Sequence, residues 1–215
     1  MEFTIVLTKG NHGYGTQMSL FPETENGWQQ VEQGRIYWQP DFFTSDVSRQ
    51  LFERLYQTLP WEQGSIKMYG KSIPQPRLHA FCGDVPYRYS GLTLQPSAWT
   101  KELSQIKQLV EEAAGQSFNT VLVNLYRDGQ DSMGWHKDNE KELGTHPMIA
   151  SVSFGATRRF VLRHCQSKTK LEFLLKEGAL LIMAGELQEY WQHSVPKTTK
   201  ISQSRINLTF RNVIG

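Results

Sequence analysis

Arg205-Ile206-Asn207-Leu208-Thr209-Phe210-Arg211 alternates without a fault. In extended backbone successive side chains point to opposite faces, so Arg205, Asn207, Thr209 and Arg211 share one face and Ile206, Leu208 and Phe210 the other. A half-buried strand with its polar face in water would give the same pattern, and this stretch alone does not separate the two. Upstream, Thr120–Tyr126 repeats the design, with Val121, Val123 and Leu125 on one face and Leu122, Asn124 and Tyr126 on the other. Two strands that each present a polar, hydrogen-bonding face argue for a lined interior. Two guanidinium groups on one of them suit a small dicarboxylate, held by bidentate, charge-assisted bonds.

From Asn119 onward the apolar period is two. Strands are expected at Thr120–Tyr126, Met148–Phe154, Arg159–Arg163, Leu171–Leu175, Ala179–Met183, Tyr190–Val195 and Arg205–Arg211. Before them the period is helical. Val47, Leu51, Leu55 and Leu59 recur every four residues between a Thr44/Ser45 cap and Pro60, which predicts a helix over Ser45–Thr58. Leu103, Ile106, Val110 and Ala114 predict a second over Ser97–Ala114, capped by Ser97 or Thr100 and stopped by a left-handed Gly115. The fold class is therefore α+β, mainly β: a sandwich or jelly-roll barrel with helices packed on one sheet. Residues 1–33 read as a loosely structured N-terminal arm, and 34–215 as a single domain.

The 215 residues, 39% apolar and 20% charged, suffice for one domain with a sizeable core. No apolar run approaches the ~18 residues of a membrane span, and Phe3-Thr4-Ile5-Val6-Leu7 is too short for a signal-peptide core. The expected setting is cytoplasmic, or nuclear in a eukaryote. Cys82 and Cys165 give neither a disulfide framework nor a Cys-x-x-Cys zinc site, so any metal must use His and carboxylate. Net charge is only +2, but Arg158–Arg211 holds ten Lys/Arg against four Glu, whereas Asp128–Glu142 holds five acids against two lysines. The latter stretch is where a cation could be held.

Within it, Trp135-His136-Lys137-Asp138 places an imidazole and a carboxylate at i and i+2, on one face of an extended chain. A lone His-x-Asp is a weak signal. His193, 57 positions on in an expected strand, supplies a second imidazole. Two His and one carboxylate form the facial triad of non-haem Fe(II) oxygenases, which leaves coordination positions open; structural zinc sites are more often closed by four ligands. His12, His79, His146 and His164 lack comparable partners, and Ser151 and Ser153 lack the glycine elbow of a serine hydrolase.

Asn124-Leu125-Tyr126, His136-Lys137-Asp138, Ile149 to Arg158, His193 and Arg205 to Arg211, in that order and spacing, resemble the AlkB family of Fe(II)- and 2-oxoglutarate-dependent dioxygenases, and within it the DNA-repair branch that demethylates alkylated bases. The likeness runs from about Gly34 to Arg211. It implies a double-stranded β-helix, with a nucleotide-recognition hairpin region at about 64–92 and the catalytic barrel at about 118–211. Fe(II) ligands would fall on His136, Asp138 and His193. The 2-oxoglutarate pocket would fall on Asn124, Tyr126, Arg205, Asn207, Thr209 and Arg211, with Arg205 clamping the distal carboxylate and Arg211 and Asn124 near the metal end.

The implied reaction is oxidative demethylation of 1-methyladenine and 3-methylcytosine in DNA. It converts 2-oxoglutarate and O2 to succinate and CO2 and releases formaldehyde, with ascorbate as reductant in vitro. A base inside a duplex cannot reach a buried metal, so it must be flipped out or already single-stranded. Ile66-Lys67-Met68-Tyr69-Gly70-Lys71 is similar to the family's duplex-wedging hairpin, with Tyr69 filling the vacated stack. Tyr87-Arg88-Tyr89-Ser90-Gly91 is similar to its base-sandwiching motif, with Tyr89 stacking on the base and Tyr87 bonding nearby. Arg77 matches a pocket arginine, and Glu140 the acid that reads an exocyclic amine. Asn139 stands where relatives usually carry a second acid, and Tyr69 and Tyr89 replace the usual Phe, which leaves lesion and strand preference open. The implied partner is alkylated DNA, double- or single-stranded, met by a monomer away from membranes. The competing readings are the same chemistry on RNA or a protein side chain, and a non-catalytic nucleic-acid-binding module.

Overall fold

The structure, a computed structural model, describes residues 26–68, 71–89 and 92–214, with side chains outside 66–72 and 88–92. In chain order the elements are β1 (Gly27–Val31), β2 (Gly34–Gln39), α1 (Ser45–Thr58), β3 (Ser65–Met68), β4 (Lys71–Pro74), β5 (Leu78–Gly83), β6 (Tyr87–Tyr89), β7 (Leu92–Leu94) and α2 (Lys101–Ala114). There follow β8 (Thr120–Tyr126), β9 (Met133–His136), a 3-10 turn at Lys141–Leu143, β10 (Ile149–Gly155), β11 (Arg158–His164), β12 (Lys170–Leu175), β13 (Leu180–Ala184), α3 (Leu187–Tyr190), β14 (Trp191–Val195) and β15 (Arg205–Arg211).

Seven strands form one antiparallel sheet in the order β1-β2-β13-β10-β15-β8-β5, and four form a second, β12-β11-β14-β9. This is the expected jelly-roll, and the alternation of β8 and β15 explains its layering. Val121, Val123, Leu125, Ile206, Leu208 and Phe210 point outward into a core shared with α1 and α2, where Leu55, Leu103 and Ile106 are fully buried. Each such side chain contributes roughly 1.5–3 kcal/mol, enough to fix both helices on one sheet. The opposite face turns inward, between the sheets, and there every residue of β15 is buried, its polar ones included. The wet-surface alternative for this strand is thereby excluded.

Thr44 accepts from the Val47 amide at 3.4 Å and Thr100 from that of Leu103 at 3.2 Å, which starts the two helices, and Gly115 ends α2 at φ 66°. Several boundaries differ from expectation. Helix α2 starts at Lys101 because Ser97 is engaged elsewhere: its amide donates to Phe81 O at 2.9 Å and its carbonyl accepts from Gly83 N at 3.1 Å, extending the edge of β5. Tyr190 closes a helical turn, its amide on Glu186 O at 3.1 Å, so β14 begins at Trp191. The compact part reaches back at least to Gly27, because β1 pairs with β2 inside the span expected to be an arm; residues 1–25 lie outside the described chain. No described helix is long and apolar enough to cross a membrane.

Candidate functional site

Strands β9 and β14 pair so that His136 and His193 face each other across the ladder, with ring centroids 4.1 Å apart. Asp138 stands two residues past the end of β9 and is 1% exposed. Its Oδ1 lies 4.0 Å from His136 Nε2 and its Oδ2 3.8 Å from His193 Nε2. One ligand atom from each residue lies within 4.8 Å of the others, the only such His/Cys/Asp/Glu group among the described residues. Of the five acids between Asp128 and Glu142, Asp138 alone joins it. Asp131 is committed to Arg127, and the Asp128 carboxylate to the Gln130 amide.

The protonation states suit a cation. His136 Nδ1 lies 2.9 Å from the Gly134 carbonyl, which can only accept, so Nδ1 carries a proton and Nε2 is the nitrogen left to face a cation. Burial first, and then the His136 and Arg211 charges, push His193 down to about 3 against the pull of Asp138, leaving a neutral imidazole at pH 7. Burial alone would raise the Asp138 carboxyl. Arg211, whose Nη2 donates to Oδ1 at 3.0 Å, and the two imidazoles override it and hold the carboxyl well below the usual carboxylate range. Two imidazole nitrogens and one carboxylate oxygen, converging in a buried site, form a donor set for a divalent metal with positions to spare.

The trio sits at one end of a cleft whose walls include Asn124, Tyr126, Arg205, Asn207, Thr209 and Arg211. All six come from the inward faces of β8 and β15. Arg205 is 1% exposed, and among the described residues its Nε and Nη1 have no partner. Nη2 donates to Ser153 Oγ at 2.8 Å and Asn207 Oδ1 at 2.5 Å, and the guanidinium lies 5.2 Å from the Tyr126 ring centre. Burial pushes its pKa down to about 10, so it stays a cation at neutral pH. Asn207 is oriented in turn by Ser151 Oγ, a donor at 3.0 Å, and gives its own amide to Thr209 Oγ1 at 3.0 Å. A buried cation with spare donors at one end and a metal-type donor set at the other fit a dicarboxylate that also chelates a metal.

The other expected residues fall around this cleft unevenly. Arg77 lines it, 4% exposed, its Nε donating to Asn124 Oδ1 at 2.8 Å. Tyr87 is buried beneath the Arg211 guanidinium, 5.5 Å from ring centre to Cζ. Glu140 lies beside the metal-type trio, its carboxyl raised by burial and by Asp138. Tyr69 lies outside the described residues, and so does the side chain of Tyr89 at the end of β6. Sequence reasoning passed over Ser151 and Ser153, dismissed only as nucleophiles. Their signal was the same period of two, polar residues alternating with Ala150, Val152 and Phe154. It also passed over Gln188, whose side chain accepts the Asp138 amide across 50 positions and leaves no local pattern.

The sequence profile of the 2OG-Fe(II) oxygenase superfamily matches residues 35–211. Alpha-ketoglutarate-dependent dioxygenase alkB homolog 3 of Rattus norvegicus is 41% identical over 189 residues, 83% of this chain and 64% of that protein. The Homo sapiens protein of that name is 40% identical over 189 residues, so the chain spans about two thirds, 66%, of its length. DNA oxidative demethylase ALKBH2 of Mus musculus is 39% identical over 177 residues, 76% of this chain and 74% of the relative. A solved structure of an oxidoreductase of the 2OG-Fe(II) oxygenase family from Burkholderia pseudomallei aligns with a TM-score of 0.57 at 14% identity, covering 84% of this chain and 85% of that one, a likeness of fold.

Proposed function

Since the chain belongs to the AlkB family of the 2OG-Fe(II) oxygenase superfamily, we propose that it is an oxidative demethylase of N-alkylated DNA bases, 1-methyladenine and 3-methylcytosine among them. One observation carries the reading: His136, Asp138 and His193 converge at one end of a cleft whose other end holds Arg205 Nε and Nη1, unpartnered among the described residues. The relatives named DNA oxidative demethylase support the choice of substrate.

In this reading His136, Asp138 and His193 hold Fe(II), and Arg205 holds the distal carboxylate of 2-oxoglutarate. When bound, iron and cosubstrate supply the oxidation of an N-methyl carbon by O2, yielding succinate, CO2 and formaldehyde. The chain's own part is placement. Gly134 O fixes the His136 tautomer, and Arg211 keeps Asp138 anionic. Ser153 and Asn207 orient the Arg205 guanidinium, so its free edge faces the cleft at no cost of reorganisation. Asn124, tied to Arg77, and Tyr126 and Thr209 complete the acid-binding wall. Tyr69, Tyr87, Tyr89, Arg77 and Glu140 are the residues assigned to the flipped base, where stacking on one aromatic contributes roughly 1–3 kcal/mol and tolerates different bases.

The test is incubation with 3-methylcytosine DNA, Fe(II), 2-oxoglutarate and ascorbate, followed by mass spectrometry. Each lesion should lose the mass of one CH₂, and His136→Ala should abolish the loss. Methylated RNA or a methylated peptide reacting while DNA does not would overturn the substrate and keep the chemistry. No succinate formation under any of these conditions would overturn both.

A further inference from the structure

The β9–β14 ladder fixes His136 and His193 against each other, but Asp138 lies beyond its end. The backbone amide of Asp138 therefore has no strand partner in a region where the carboxylate is 1% exposed. Gln188 meets that need. It sits on the four-residue α3, is itself 1% exposed, and its Oε1 accepts the Asp138 N–H at 2.9 Å. The orientation of the side-chain amide follows from chemistry, because a backbone N–H can only donate and so must meet the oxygen. Its nitrogen is left with Met183 Sδ at 3.6 Å, a weak acceptor.

A buried amide served this poorly on one side is a poor choice for packing alone; a Met or Leu of similar volume would fill the space better. What the apolar residue could not do is hold Asp138. Helix α3 makes a second tie next door, where Lys137 Nζ donates to the Glu189 carbonyl. Because α3 runs straight into β14, which carries His193, the strand of one imidazole and the loop of the carboxylate are joined through two adjacent α3 residues.

We infer that Gln188 is a positioning residue for the metal centre: it sets the backbone of Asp138 so that the carboxylate meets the two imidazoles. The inference rests on the metal-binding reading of the site. Groups that orient a metal's direct ligands typically account for about 10- to 100-fold in metal affinity when removed.

The experiment measures Mn(II) binding to the full chain by titration, without turnover, for the unmodified protein, Gln188→Met, Gln188→Asn and Thr100→Ala. Methionine keeps the volume and removes the acceptor; asparagine keeps the amide and withdraws it by one methylene. Thr100→Ala removes a distant helix cap and so controls for general destabilisation. A dissociation constant raised about tenfold or more in Gln188→Met and Gln188→Asn, with Thr100→Ala unchanged, supports the inference. If the methionine variant does not fold, the asparagine variant decides alone. Equal affinity in all four proteins, or a rise shared by Thr100→Ala, overturns the role of Gln188 and leaves the metal site standing. Failure of the unmodified protein to bind Mn(II) overturns the metal site, and this inference with it.

Discussion

At 1% exposure a guanidinium without an anion beside it destabilises a fold, and Arg205 holds that position with two of its nitrogens unpartnered among the described residues. Removing the charge should therefore separate function from stability. In Arg205→Met the buried cation, which has no anion beside it among the described residues, is replaced by an apolar chain of similar length, and the cost of keeping that charge out of water is removed. The cosubstrate-free melting temperature should stay level or rise. The loss of charge-assisted bonds to a carboxylate, each worth about 1.5–3 kcal/mol, should raise the KM for 2-oxoglutarate by roughly 10-fold or more. Thermal melts with and without 2-oxoglutarate check both halves: the unmodified protein should be stabilised by the acid and the variant should not. A variant that melts lower yet keeps its cosubstrate affinity would place Arg205 in the scaffold alone.

At the scale of elements, two glycines with similar positive φ separate conformational strain from crowding. Gly115 ends α2 at φ +66°, and a Cβ there would meet nothing within 4 Å. Gly178, in the turn between β12 and β13, has φ +79°, but a Cβ would lie 2.3 Å from Phe43 O and 2.8 Å from Ser48 Oγ. Gly115→Ala should cost only the left-handed penalty, about 1–2 kcal/mol. Gly178→Ala adds a backbone collision at the entry to α1 and should lose at least about 3 kcal/mol, measured by urea unfolding. Equal losses would mean the α1 entry yields freely. The same distinction between local and distant causes governs what could be read from the sequence. Strands β8 and β15 were legible to the residue because both faces of each are fully used, apolar residues under the helices and polar ones in the cleft. The remaining strands of the expected set shifted by one residue at their ends, where the outward residue is indifferent. Strand β9 escaped notice: Met133-Gly134-Trp135-His136 is too short to show a period, and it exists because β14 pairs with it. Strands β2 and β5 escaped likewise, their patterns set by neighbours distant in sequence. His136, Asp138 and His193 were legible as chemistry, whereas Gln188 is defined only by the contact it makes across the fold.

Across the whole molecule the two sheets must be held in register for the cleft to exist, and the loop from β8 to β9 does much of this. Asp131 anchors it. Its carboxylate accepts from Arg127 Nε and Nη2, both at 2.8 Å, and from the Arg127 amide at 2.9 Å. Arg158, buried on β11 of the other sheet, donates to the carbonyls of Asp128 at 2.9 Å, Asp131 at 2.8 Å and Pro196 at 2.9 Å. Burial works to raise the Asp131 carboxyl, but the bonds from Arg127 and the nearby Arg158 charge outweigh it and hold it below the ordinary value. A carboxyl whose folded pKa is depressed contributes stability that is complete above its unfolded pKa of about 3.9 and is lost as pH falls through the folded value. Asp131→Asn should therefore melt below the unmodified protein at pH 6–8. The deficit is roughly 1–2 kcal/mol, kept modest because the Arg127 end is half exposed. Below the unfolded value of about 3.9 the two melting curves should approach each other, since the unfolded carboxyl takes up a proton that the depressed native carboxyl resists. Comparing the two proteins at each pH removes the contribution of Asp138, which titrates in both. A gap that stays constant down to pH 3 would show that the loop is held by shape and by Arg158, with the Asp131 charge contributing nothing.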